Sequence, residues 1–231
     1  NSSAEALNAL ANLKILIKPF KGGVNILSEN PNLLKDESQE IDDSKPKSSI
    51  LHLGRYLTIL ALVAFCGMLC EGAMADWITL YFKEDVTNST YATTIGFSSF
   101  ALAMVIGRFT GDYISRNLGV RTILTLNGLL ISIGMIITLY LPMVEFKILG
   151  CFLTGLGIST IVPLIYSQAG NQKNIEPPIA IAGVSTIAYI GFLIGPVLIG
   201  YLADFSNLQS ALFLLVLLGI VASFVANKYI K

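Results

Sequence analysis

Residues 56–82 read YLTILALVAFCGMLCEGAMADWITLYF, an apolar stretch whose only charges are two acids, Glu71 and Asp76. A hydrocarbon core of about 30 Å takes about 20 helical residues at a rise of 1.5 Å each, so this stretch spans a bilayer. Five comparable runs follow, at 92–111, 122–141, 148–168, 179–203 and 210–227, and Arg108 adds the only further charge within them. Lipid offers no partner for backbone N–H and C=O groups, which selects helices that satisfy those groups internally. The reading is an all-α membrane protein whose residues 50–231 form a domain of six transmembrane helices. Composition agrees. Hydrophobic residues make up 54% and charged residues 13%, with a mean hydropathy of +0.70, whereas soluble domains carry about 25% charged residues. That balance excludes a disordered chain, a nucleic-acid binder with a basic face and most cytosolic enzymes. The partner it names is membrane lipid.

Residues 1–49 differ in kind. Leu7, Leu10, Leu13, Ile17 and Phe20 have the spacing of a short amphipathic helix that Pro19 would stop. From Ser28 to Ser49 the chain is polar, mixed in charge and broken by Pro31 and Pro46, which predicts a largely disordered linker. The chain opens on Asn1 rather than Met, and the expectation is that it is a piece of something longer.

Orientation is read from Lys and Arg alone. Six spans put residues 1–49 and the tail on one side, and of the 15 Lys and Arg all but Lys83 and Lys147 fall on that side. Both ends of the chain are therefore expected in the cytoplasm. Close helix contacts are also legible. Ser99, Ala103, Gly107 and Gly111 repeat at four-residue spacing in the second run, as do Gly191 and Gly195 in the fifth, and small residues so spaced let membrane helices approach. Pro163 and Pro196 mark either ordinary packing or hinges. Cys66, Cys70 and Cys151 lie inside apolar runs with no zinc or redox spacing, so they read as small hydrophobes, and neither a metal site nor a cofactor is expected.

The densest polar signal is Gly107-Arg108-Phe109-Thr110-Gly111-Asp112, continued by Arg116, Gly119 and Arg121. Spacing alone leaves two readings open. Asp112, between arginines in a tight loop, either pairs with one of them and faces a helix N-terminus, or belongs to an ordinary positive-inside loop.

The run from Gly107 to Arg121 resembles the signature loop of the major facilitator superfamily, in its second-half copy. Residues 70–77 (CEGAMADW) look like helix seven of a bacterial branch related to fucose permease. Residues 163–170 (PLIYSQAG) and 191–204 (GFLIGPVLIGYLAD) are similar to its helices ten and eleven. The likeness covers about Leu53 to Ala226. It implies half of a twelve-helix major facilitator fold, the C-terminal six helices of a secondary active transporter in a bacterial inner membrane, with residues 1–49 as the cytoplasmic loop joining the halves. It also implies a small-molecule substrate, sugar-like in that branch, carried by alternating access between this half and a missing N-terminal six-helix half. Thr154, Ser159, Ser185 and Tyr189 would then face that missing half.

The motif residues Gly107, Arg108, Gly111, Asp112, Arg116, Gly119 and Arg121 are expected to gate the cytoplasmic side. Glu71 lies only about 3 Å beyond the middle of the first run, where a charge is costly unless paired or protonated, and reads as a proton-coupling or substrate-binding group. Asp76 and Trp77 read as an outer-gate or sugar-hydroxyl contact, and Tyr189 as a further substrate candidate. For both acids the plainer alternative is an interhelical hydrogen bond. An enzyme is not expected, since the only histidine, His52, lies just before the first run and no protease pattern accompanies it. The rival class, a six-span channel or membrane sensor, has neither filter sequence nor ring of charges behind it.

Overall fold

The computed structural model describes residues 54–86, 90–173 and 175–230, with side chains left out at Asp85, Thr90–Ala92 and Asp112. The amphipathic segment, the linker and His52 lie outside the described residues. Helix α1 (Arg55–Tyr81) ends in a π-helical turn, Phe82–Val86. Then come α2 (Thr90–Leu118), α3 (Val120–Tyr140), α4 (Val144–Ser159), α5 (Ile161–Gly170), α6 (Pro177–Phe205) and α7 (Leu208–Tyr229). No strand occurs among the described residues. Six segments are long and apolar enough to cross a membrane: Arg55–Glu84, Thr93–Gly111, Val120–Tyr140, Val144–Gly170, Pro177–Phe205 and Leu208–Tyr229.

The sequence boundaries shift in two informative places. The fourth span is two helices, α4 and α5, interrupted at Thr160. Pro163 lacks the N–H that would bond the Ser159 carbonyl, so the helical ladder fails there. Ser159 turns its hydroxyl back on the Leu156 carbonyl at 2.7 Å. The second change is at the motif. No loop runs from Asp112 to Arg121: α2 continues to Leu118, and Gly119 alone makes the turn into α3. Its φ of 78° lies in the left-handed region that glycine enters without steric cost.

Helix α1 is the hub, packed most extensively along α6 and also touching α7, α5 and α2, while α3 pairs with α7 and α4, and α2 with α4. Lipid is as apolar as the side chains it surrounds, so these pairs hold by close contact and not by exclusion of water. On α6, a Cβ added at Gly191 or Gly195 would sit 2.6 Å from the backbone oxygen of Phe65 or Leu69 on α1. The small stripe of α2 faces α4 in the same way. Ser99 donates to the Ile148 carbonyl at 3.0 Å, while Gly107 and Gly111 lie against Ser159 and Thr160 at the break. All three cysteines are buried and free.

Burial is uneven. The most apolar window of α1 is 72% buried, against 33% for α2 and 28% for α6. The two barest helices flank α1, which carries Glu71.

Candidate functional site

Glu71 sits one helical step before Gly72, which lets α1 lie against the Phe192 carbonyl of α6. Across from it, Arg108 of α2 places Nη2 3.3 Å from Glu71 Oε1. The guanidinium donates to the carboxylate through this one contact and not as a two-pronged fork. The Glu71 side chain is 22% exposed and that of Arg108 57%. A lone charge near the middle of a membrane helix costs about 2.5–3.5 kcal/mol on insertion scales. The contact with Arg108 offsets part of that cost at Glu71.

The pair lies in a cavity of about 430 Å³ lined also by Met68, Val162, Pro163, Tyr166, Tyr189 and Phe192. The break at Thr160 starts α5 afresh just before Val162, Pro163 and Tyr166. The Tyr166 hydroxyl is buried and has no partner among the described residues. The Asn127 side-chain amide of α3 donates to the Thr160 hydroxyl at 2.7 Å, holding the break from the other side. Since Gly107 touches that break and precedes Arg108, the ion pair and the discontinuity share one stretch of α2.

The structure divides the motif among different tasks. Arg108 points to Glu71, a pairing that sequence reasoning missed because it joins two different helices 37 residues apart in the chain. In α2, Arg108 lies about 15 Å short of the helix end at 1.5 Å per residue, within reach of Glu71. The signal was present: Arg108 is the only cation in the six runs, and an intramembrane cation needs an acid. Arg121 donates to the Asn227 side-chain carbonyl at 3.1 Å, tying α3 to α7. Arg116 is exposed, and Asp112 lies within the helical backbone of α2.

The other candidates disperse. Tyr189 lines the Glu71 cavity and is 56% exposed. Asp76 is exposed and has no hydrogen-bond or ion-pair partner among the described residues. Trp77 commits its indole N–H to the Pro196 carbonyl of α6 at 2.9 Å. Its ring packs on Gly200 and borders a separate cavity of about 460 Å³ with Glu84, Asp204 and Asn207. Thr154 and Ser159, expected on the face toward a missing half, are buried inside the bundle, where Thr154 donates to the Gly150 carbonyl at 2.9 Å. Lys147, read only as a topology marker, is buried. Its ammonium donates to the Tyr81 hydroxyl at 3.1 Å and to the Thr138 carbonyl at 2.9 Å, closing the C-terminal end of α3. No group of three or more potential metal ligands occurs among the described residues.

Residues 22–174 match the family described as Major Facilitator Superfamily. Over 189 residues the chain is 31% identical to the membrane protein MosC of Rhizobium meliloti, covering 79% of this chain and 46% of that one. It is 32% identical to an uncharacterised MFS-type transporter of Yersinia pestis, covering 80% and 47%. Among solved structures it is similar to the E. coli fucose:proton symporter FucP, with a TM-score of 0.68, 18% identity, and coverage of 77% of this chain and 43% of that chain. The chain thus spans about half the length of the curated relatives it matches. Six apolar spans arranged as in a major facilitator fold, together with the family match over most of the chain, establish that this protein is a multi-pass membrane protein belonging to the Major Facilitator Superfamily.

Proposed function

We propose that the chain is the C-terminal six-helix half of a secondary active transporter that moves a small, sugar-sized solute by alternating access, coupled to protons. The observation that carries the reading is the Glu71–Arg108 pair set in a cavity between α1, α2, α5 and α6. A structural ion pair inside one bundle has no need of a cavity beside it. The bareness of α2 and α6 supports a second half packed across them, closing the cavity from the other side. In this reading residues 1–49 join the halves on the cytoplasmic side of a bacterial inner membrane, and both ends of the chain lie there. Glu71 is the proton-coupling group, with Arg108 as its partner and Tyr189 and Tyr166 as solute contacts. Asp112, Arg116 and Arg121 serve the cytoplasmic gate. The protein is a carrier and not an enzyme.

The test is uptake of labelled solutes by the full-length protein in sealed vesicles, with and without an imposed pH gradient. Saturable accumulation driven by the gradient, and its loss in Glu71→Gln, is expected. Full gradient-driven accumulation by Glu71→Gln would refute the coupling role. Downhill flux that never saturates would favour a channel.

A further inference from the structure

We propose that the solute carries a carboxylate, and that this carboxylate takes the place of Glu71 on Arg108 when Glu71 accepts a proton. The inference rests on the transporter reading of the same cavity.

The argument begins with charge. Among the described residues the cavity is lined by one carboxylate and one guanidinium, which cancel. Entry of a cation would leave Arg108 facing a second positive charge. Entry of an anion alone would leave an excess negative charge at a depth where unpaired charge is costly. Entry of one carboxylate with one proton leaves the sum at zero. The proton converts the Glu71 carboxylate to a carboxyl group, breaking the charge pairing at Oε1, and the incoming carboxylate gives Arg108 an equivalent partner. No other bond is made or broken.

Hydrogen-bond supply points the same way. A guanidinium has five N–H donors, and Glu71 takes only the 3.3 Å contact from Nη2. Tyr189 adds a hydroxyl at the cavity wall, while the Tyr166 hydroxyl is buried and has no partner among the described residues. Glu71 is the only charged acceptor among the described residues that line the cavity. Arg108 is a donor-only group with most of its N–H groups not taken by Glu71, which suits an acceptor-rich solute. Two carboxylate oxygens match the planar fork of an arginine better than single hydroxyls do. The charged and titratable groups facing Glu71 are Arg108 from α2, Tyr166 from α5 and Tyr189 from α6. Neither α4 nor α7, which also pack on α1, places such a group on the cavity among the described residues.

The test uses the purified full-length transporter, with thermal protection as the readout and four probes: D-glucuronate and L-lactate as carboxylates, D-glucose and L-fucose as neutral solutes. At least one carboxylate should protect, and its apparent affinity should weaken about tenfold per pH unit once Glu71 is ionised in the free protein, because one proton is taken up per anion bound. Glu71→Gln should flatten that dependence to less than about twofold while keeping carboxylate protection. Arg108→Gln should abolish the protection, and Arg108→Lys should retain it more weakly. The unliganded melting temperature of each variant reports whether it folds. Protection by L-fucose or D-glucose and by neither carboxylate would overturn the inference, as would carboxylate protection independent of pH in the unmodified protein. Gradient-driven uptake of a neutral sugar alone would sink the carboxylate class and leave the transporter reading intact. Carboxylate binding without any vesicle uptake would do the reverse.

Discussion

Replacing Gly195 by alanine probes the seam that holds α1 in place. The added Cβ would lie 2.6 Å from the Leu69 carbonyl oxygen and 3.4 Å from the Leu69 Cα and carbonyl carbon. Ordinary van der Waals contact begins near 3.4 Å, so the two backbones must separate by several tenths of an ångström. Both sides are helical backbone, and no side chain can rotate away. A gap of 0.5–1 Å forfeits about a quarter to a half of each contact's attraction, and overpacking a tight site costs about 1–3 kcal/mol. Lipid supplies no compensating hydrophobic term between helices, so most of that cost should appear as lost stability. The comparison is Gly170→Ala, whose Cβ would meet only the flexible end of Ile181 at 3.3 Å and should cost about 0.5 kcal/mol or less. Unfolding of the full-length protein in graded mixtures of mild and denaturing detergent measures both. Gly195→Ala should lose about 1–3 kcal/mol, and transport should fall as well, because the shift displaces the helix that carries Glu71. If Gly195→Ala unfolds no more readily than Gly170→Ala, the account of α1–α6 as a backbone-to-backbone seam is wrong.

Asn127→Ala removes the donor to Thr160 at the break between α4 and α5; a loss of about 1–3 kcal/mol in detergent unfolding is expected, and retained wild-type stability would mean the bond does not hold the break. Trp77→Phe keeps the ring on Gly200 but deletes the N–H to Pro196. It should cost about 0.5–1.5 kcal/mol while leaving solute affinity within a few-fold, and a large affinity loss in equilibrium binding would return Trp77 to the list of solute contacts. Lys147→Met strips the ammonium from the Thr138 carbonyl and the Tyr81 hydroxyl. Melting temperature should fall clearly while the direction of insertion, read by reporter fusions, stays the same; reversed insertion would show Lys147 acting as a topology charge.

The site and the break are joined by direct contact. Gly107 and Gly111 let α2 lie directly on Ser159 and Thr160, and Arg108 stands between those glycines. A displacement of α5 about the break would therefore be felt at the guanidinium within one helical turn. Hydrogen bonds from Asn127 to the Thr160 hydroxyl and from the Ser159 hydroxyl to the Leu156 carbonyl occupy polar groups at the discontinuity, where the ladder is broken. That arrangement allows a change of angle at lower cost than bending a continuous helix, since the Pro163 position has already given up its ladder bond.

Much of this protein was settled one helix at a time. Bilayer thickness sets the length of each span and lipid demands internally satisfied backbone, so apolar run length alone identified the spans and an all-α membrane protein, while the major facilitator fold was read from the resemblance. The small-residue stripes at Ser99–Gly111 and Gly191–Gly195 were legible because four-residue spacing puts side chains on one helix face whatever lies opposite. What lies opposite was not legible. That Glu71 meets Arg108, that Trp77 spends its N–H on Pro196, and that Lys147 is buried on Tyr81 each depend on two helices distant in the chain coming to one depth and facing each other. Helix ends misled for a related reason. Hydropathy marks where apolar character stops, at Gly111 in the second span, while α2 continues as a helix for seven further residues to Leu118. Periodicity is a local property of the chain; pairing of charges is decided only when the bundle closes.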